Sequence, residues 1–184
     1  MALEQLIEIV EGVGAGCYGT ELLQEYLRKF VLDEIPIEEY CQWSMSEYTW
    51  QPVHRSERAE LLVLCWQGNQ RTAPHAHCGS WGMVTPYRGS LVNHLFEKTS
   101  GGRLKKLCQQ THRPGDVFRL EAEDIHQVTL TEDHQQEGGR ISIHCYFPPL
   151  RVCADGGLED GTELSCPCEM LHDSWSEKWL VRSG

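Results

Sequence analysis

Positive charge is scarce in this chain: 16 Lys and Arg stand against 27 Asp and Glu, a formal net charge of −11. Polyanions reward Lys and Arg, so nucleic acid and anionic membrane surfaces are poor partners for it. Long apolar runs are also missing. Nothing approaches the roughly 20 apolar residues of a spanning helix, and no basic stretch leads into an apolar one near Met1. Neither a transmembrane helix nor a signal peptide is therefore expected, and a cytoplasmic protein is. Cys166-Pro167-Cys168 has no second Cys pair at ligand spacing, which leaves a zinc ribbon unsupported.

What is present is an ordinary globular composition, 40% apolar and 23% charged over 184 residues. That length fits one domain with a sizeable core. Nine cysteines are scattered through apolar stretches such as Leu64-Cys65-Trp66 and His144-Cys145-Tyr146. Without a secretory signal they read mostly as reduced, small apolar fillers rather than a disulfide framework.

Residues 3–12 place Leu3, Leu6, Ile7, Ile9 and Val10 at helical spacing. After a glycine-bearing break, Thr20 can cap a second helix with Leu22, Leu23, Tyr26, Leu27 and Phe30 on one face. A third short helix is expected over about 36–43, with Pro36 in its first turn. From Tyr48 onward the pattern changes to short strands. Candidates are 60–66, 80–85, 89–97, 103–110, 116–120, 125–130 and 140–147, punctuated by Gly68-Asn69, Pro86, Ser100-Gly101-Gly102, Arg113-Pro114-Gly115-Asp116 and Gly138-Gly139. Many short strands at this spacing predict a sandwich or barrel. The expected organisation is a single domain over 1–184: a helical cap (1–47), a β-barrel (48–153) and a C-terminal extension (154–184) that is irregular apart from a last helix over 173–180.

The chemistry concentrates in His75-Ala76-His77. On a strand or strand entry, residues two apart point to the same face, whereas on a helix they diverge. One more imidazole from a distant strand would complete a three-histidine face with open positions. His126 can supply it. Three neutral ligands leave a divalent ion its full positive charge, which favours an anionic ligand such as a thiolate. The other histidines, His54, His94, His112, His134 and His172, have no such context and read as ordinary residues. Ser142, His144 and Tyr146 also share one strand face. Ser142 can hold His144, and His144 can hold the Tyr146 hydroxyl.

Gly68-x(6)-His75-x-His77 with Gly89 resembles the first cupin motif, and Pro114-Gly115-Asp116 followed by His126 resembles the second. The carboxylate many cupins carry after H-x-H is missing, its slot falling at Trp81 or Gly82. Within the cupins, the chain resembles the cysteine dioxygenase family from the N-terminal helices to about Cys153. Leu62-Val63-Leu64-Cys65-Trp66, His75-Ala76-His77 with Ser80-Trp81-Gly82, Asp124-Ile125-His126-Gln127-Val128 and Ser142-Ile143-His144-Cys145-Tyr146-Phe147-Pro148-Pro149 carry that resemblance. It implies an all-β cupin core with an N-terminal helical cap, Fe(II) on His75, His77 and His126, and a Ser142–His144–Tyr146 relay that orients substrate and oxygen. The implied reaction adds dioxygen to the sulfur of a small thiol, cysteine or a related mercapto acid, to give a sulfinate. Small thiol and dioxygen are then the partners, with a monomer or weak homodimer as the assembly.

Two positions depart from the family. Mammalian members have Cys where Gly82 stands and can link it to the signature Tyr, so Tyr146 should be uncrosslinked. A family Tyr-x-Arg stretch, whose Arg meets the substrate carboxylate, is here Tyr48-Thr49-Trp50. Tyr48, Trp50 and Trp81 remain candidates to line the substrate. Arg55, Arg58 and, foremost, Arg151 are the candidates to take over the carboxylate. Two alternatives stay open: a relative diverted to another thiol oxidation in specialised metabolism, and a non-catalytic metal-binding sensor.

Overall fold

A computed structural model describes residues 2–131 and 138–151 of the chain. The expected last helix, the 154–170 stretch and Cys166-Pro167-Cys168 lie outside these residues. Two helices open the chain, α1 (Ala2–Gly14) and α2 (Thr20–Leu32). Thr20 is the first helical residue of α2 and Gly19 holds the cap position without a side-chain bond, which corrects the expected Thr20 cap. The third helix shrinks to a single 3-10 turn, Glu38–Tyr40.

Eight strands follow: β1 (Thr49–Arg55), β2 (Glu60–Trp66), β3 (Trp81–Arg88), β4 (Leu91–Lys98), β5 (Leu104–His112), β6 (Phe118–Leu120), β7 (Ile125–Leu130) and β8 (Arg140–Phe147). They form two antiparallel sheets, ordered β1-β2-β8-β3-β6 and β5-β4-β7. This is the all-β core with a helical cap that the sequence predicts. Strand β1 adds to the strands expected from the sequence. Pro52 cannot donate to a ladder, and the register with β2 shifts between Pro52 and His54, as edge strands tolerate. Pro86 does not end β3 as expected; the strand passes through it with a register shift before Arg88.

Both faces of β2 and β8 are buried along their whole length. The period of two sorts their side chains to different layers. Leu61, Val63 and Cys65 of β2, with Ile141, Ile143 and Cys145 of β8, pack against Leu6, Val10, Leu23, Leu27 and Phe30 of the helices. At roughly 1.5–3 kcal/mol per fully buried large apolar side chain, this layer is a main source of stability. The alternate residues Leu62, Leu64 and Trp66 face the other way and cluster with Tyr146, Val128 of the second sheet, and Leu150. The helices thus seal one side of the large sheet, and the space between the two sheets is left for the site.

Among the described cysteines, Cys17, Cys41, Cys65, Cys108 and Cys145 are free thiols. Cys78 departs from the expectation and is disulfide-bonded.

Candidate metal centre and its cavity

His75 and His77 do not sit on a regular strand. They lie in the irregular connection between β2 and β3, which runs along β7 through isolated bridges, Arg71 to Thr129 and His75 to His126. His75 N–H donates to His126 O at 2.9 Å, and His126 N–H returns to His75 O at 2.8 Å. Thr72 strengthens the seam: its N–H donates to Val128 O at 3.0 Å and its Oγ1 accepts from Val128 N–H at 2.9 Å. Backbone pairing therefore fixes two of the three imidazoles against each other before any metal enters.

One nitrogen from each of His75, His77 and His126 falls in a common group, all within 4.8 Å of one another. His126 Nε2 and His77 Nε2 are 3.3 Å apart. All three rings are buried, at 3%, 0% and 1% exposure. Desolvation pulls His75 down to about 4 and holds His77 and His126 well below the ordinary imidazole value. The rings are thus neutral, with lone pairs available at neutral pH.

Their outer nitrogens are assigned by partners. His75 Nδ1 lies 2.9 Å from Ala73 O, an acceptor, so Nδ1 carries the proton and Nε2 is free. His126 Nδ1 lies 2.8 Å from Asn93 Oδ1, which fixes the same tautomer. His126 Nε2 faces His77 Nε2, a pair that either a proton on His77 or a cation held between the rings would satisfy, and His77 Nδ1 has no hydrogen-bond partner among the described residues. Metal–nitrogen bonds of about 2.0–2.1 Å give ligand nitrogens just over 3 Å apart, matching the His77–His126 spacing. The residues present fit a divalent ion with three neutral nitrogens and open positions. Asn93, buried on β4, was not legible in the sequence; only its place opposite Val128 in the β4–β7 ladder reveals it.

The second feature is a continuous chain of hydrogen bonds. Trp66 Nε1–H donates to Ser142 Oγ at 2.9 Å. Ser142 Oγ lies 2.9 Å from His144 Nε2, and His144 Nδ1 lies 3.0 Å from the Tyr146 hydroxyl. An indole can only donate. Ser142 is fully buried, and among the described residues His144 is the acceptor within reach of its hydroxyl proton. Satisfying every group fixes the sense: Trp66 to Ser142, Ser142 to His144 Nε2, His144 Nδ1–H to Tyr146. The Tyr146 hydroxyl proton is then left to point elsewhere. Burial lowers His144 to about 3, so it stays a neutral carrier of this chain. The Tyr146 ring is 4.9 Å from that of His77. Trp66 belongs to this array, although in the sequence it stands only as the end of an apolar run.

A cavity joins the two features. His75, His126, His144 and Tyr146 line one side of it. Tyr48, Trp50 and Trp66 line another, with Tyr48 stacked on Trp66 at 4.6 Å. Leu62, Leu64, Thr72, Val128 and Leu150 complete the wall. Trp50 faces it because it pairs with Leu64 across β1 and β2. Two other candidates are placed elsewhere. Trp81 stacks on Phe147 at 4.4 Å, with the Arg119 guanidinium 4.5 Å over its ring, and does not line the cavity. Arg151 is exposed and also lies outside the lining. Arg55 reaches the back of the wall instead, donating to Glu60 Oε1 at 2.8 Å and to Leu150 O at 2.9 Å. Gly82 pairs with Tyr146 across β3 and β8.

The chain is similar to known proteins. Residues 4–155 match the family described as cysteine dioxygenase type I. Cysteine dioxygenase type 1 of Homo sapiens is 24% identical over 156 residues, covering 82% of this chain and 76% of the human one. Among solved structures, TT1209 from Thermus thermophilus aligns with a TM-score of 0.49 at 17% identity, covering 61% of this chain and 94% of that one. A Klebsiella pneumoniae protein with a double-stranded beta-helix domain aligns with a TM-score of 0.47 at 18% identity, covering 62% and 83%.

Proposed function

Since this chain belongs to the cysteine dioxygenase type I family, we propose that it is an iron-dependent thiol dioxygenase that converts a small thiol to its sulfinate. The observation that carries this reading is that a buried, neutral three-histidine group and a directed Trp66–Ser142–His144–Tyr146 chain meet at one cavity, which His75 and His126 of the first and Trp66, His144 and Tyr146 of the second line.

His75, His77 and His126 would hold Fe(II), which when bound supplies the redox chemistry that joins dioxygen to a thiolate sulfur. The chain's own residues do the rest. Ala73 O and Asn93 Oδ1 keep two imidazoles in the tautomer that presents Nε2. With no carboxylate in the ligand group, the histidines contribute no charge, so an entering thiol is favoured as its anion. Leu62, Leu64, Val128 and the aromatic rings exclude water, which strengthens each polar contact inside the cavity. His144 donates to Tyr146 and so aims the phenol proton toward the reacting groups rather than back into the relay. There it can stabilise developing negative charge on oxygen. Holding reactants in this frame is proximity catalysis.

Cytoplasmic residence accords with the reading, and no helix among the described residues is long and apolar enough to cross a membrane. The test is dioxygen uptake by the Fe(II)-reconstituted protein given a panel of thiols, with product mass measured. A gain of two oxygen atoms on sulfur supports the reading. Stable thiol binding with no uptake favours a metal-bound sensor, and uptake with a different product favours a diverted oxidase.

A further inference from the structure

Resting on the thiol dioxygenase reading, we infer that the substrate of this site is a thiol with an uncharged, apolar substituent and no carboxylate. A carboxylate carried into a dry cavity needs a cation or several donors. Among the described residues that line the cavity there is no Lys or Arg. Trp50 in the lining has an indole in place of a guanidinium, and it packs against the cluster that holds Leu62, Leu64 and Leu150.

Neither Arg55 nor Arg151 lines the cavity. The Arg55 guanidinium is locked between the fully buried Glu60 carboxylate and Leu150 O. To enter the cavity it would have to abandon Glu60, which has Leu150 N–H as its other partner. Arg151 is exposed and outside the lining. A cationic substituent fares little better, because no Asp or Glu lines the described wall and Glu60 is turned away into its own ion pair. Tyr48, Trp50, Trp66 and the leucines reward apolar surface instead. The thiolate is the charge the site can match, through the cation that His75, His77 and His126 would hold.

The test compares near-isosteric thiols on the full-length protein: 3-methyl-1-butanethiol, 3-mercaptopropionamide, 3-mercaptopropionate and cysteamine. Two readouts are taken. One is anaerobic binding to the Co(II)-loaded protein, followed by the thiolate-to-cobalt absorption band. The other is dioxygen uptake by the Fe(II)-loaded protein. The branched hydrocarbon thiol is expected to bind at least tenfold tighter than 3-mercaptopropionate, with the amide between them. In Trp50→Arg, the ratio of 3-mercaptopropionate to hydrocarbon affinity is expected to rise at least tenfold. Equal or tighter binding of 3-mercaptopropionate or cysteamine by the wild-type protein overturns the inference while leaving a thiol dioxygenase in place. No absorption band and no uptake with any thiol overturns both readings. The wild-type series decides the matter even where Trp50→Arg does not fold.

Discussion

Trp66 and Ser142 are joined by a hydrogen bond of 2.9 Å that runs diagonally between the paired strands β2 and β8. It makes an indole the first donor of a chain ending on the Tyr146 hydroxyl, and it gives that chain a direction.

If the direction matters, removing its source should act on turnover rather than binding. Trp66→Phe keeps an aromatic ring beside Tyr48 but deletes the donor. We expect kcat to fall about fivefold with KM for the thiol little changed, since a hydrogen bond is worth ~1 kcal/mol and ~1.4 kcal/mol is a factor of ten. Ser142→Ala should cost a similar amount. The double variant should cost no more than the larger single loss, because both break one chain. Steady-state dioxygen uptake on the four proteins measures this, and additive losses would show that the two residues act separately.

The sequence made part of this site legible for a physical reason. Ser142, His144 and Tyr146 alternate on one strand, so the period of two alone places them together. The same rule anticipated a shared face for His75 and His77, but these residues lie in an irregular connection pinned by the His75–His126 bridge. Their convergence comes from that tertiary pairing. Trp66 and Asn93 carry no local signal: each is one polar group in an otherwise apolar or alternating strand, and its role depends on what stands across the sheet. The β2 run Leu61–Trp66 was legible as a buried strand, but a strand buried on both faces does not announce which face meets the helices. Strand β1 escaped because Pro52 reads as a break, although an edge strand accommodates it.

Asn93 should matter for metal retention without touching the ion. It fixes the His126 tautomer through Oδ1, so Asn93→Leu should weaken metal affinity roughly tenfold to a hundredfold. His126→Ala should abolish tight binding. Competition with a chromogenic chelator measures both. Metal at about 100 times its Kd adds ~2.7 kcal/mol to stability, so stripping the ion should lower Tm by roughly 5–10 °C. Full metal content in His126→Ala would remove that residue from the ligand set.

Gly82 stands where a side chain does not fit. A Cβ there would lie 2.9 Å from Cys145 O and 2.9 Å from Tyr146 Cδ1. Gly82→Ala should therefore destabilise the fold by about 1–3 kcal/mol and displace the Tyr146 ring, lowering turnover as well. Denaturant melts and dioxygen uptake check the two effects. The wild-type protein, with glycine opposite Tyr146, should show no loss of two hydrogens at Tyr146 by peptide mass. Tyr146→Phe should retain metal and lose most turnover.

Arg55 separates a structural role from a substrate role. Its partner Glu60 is fully buried, and burial raises the Glu60 carboxyl above its ordinary 4.5 despite the neighbouring guanidinium. Removing one member of such a pair leaves the other charge stranded, so Arg55→Ala should cost about 3–5 kcal/mol at neutral pH. The pH dependence follows from the sign. A carboxyl whose folded value lies above its unfolded value takes up a proton more readily when folded, so its contribution to stability declines as pH rises above 4.5. Without Arg55 the folded value moves higher still. The deficit of the variant relative to wild type should then be largest near pH 7 and shrink as pH falls toward 4.5, where Glu60 can remain neutral. Denaturant melts across that range measure it. A carboxylate-binding Arg55 would leave a different trace: a selective loss of affinity for 3-mercaptopropionate over its amide. Equal effects on the two thiols, alongside a pH-dependent stability loss, would assign Arg55 to the wall behind Leu150 and leave the cavity without a cation from this strand.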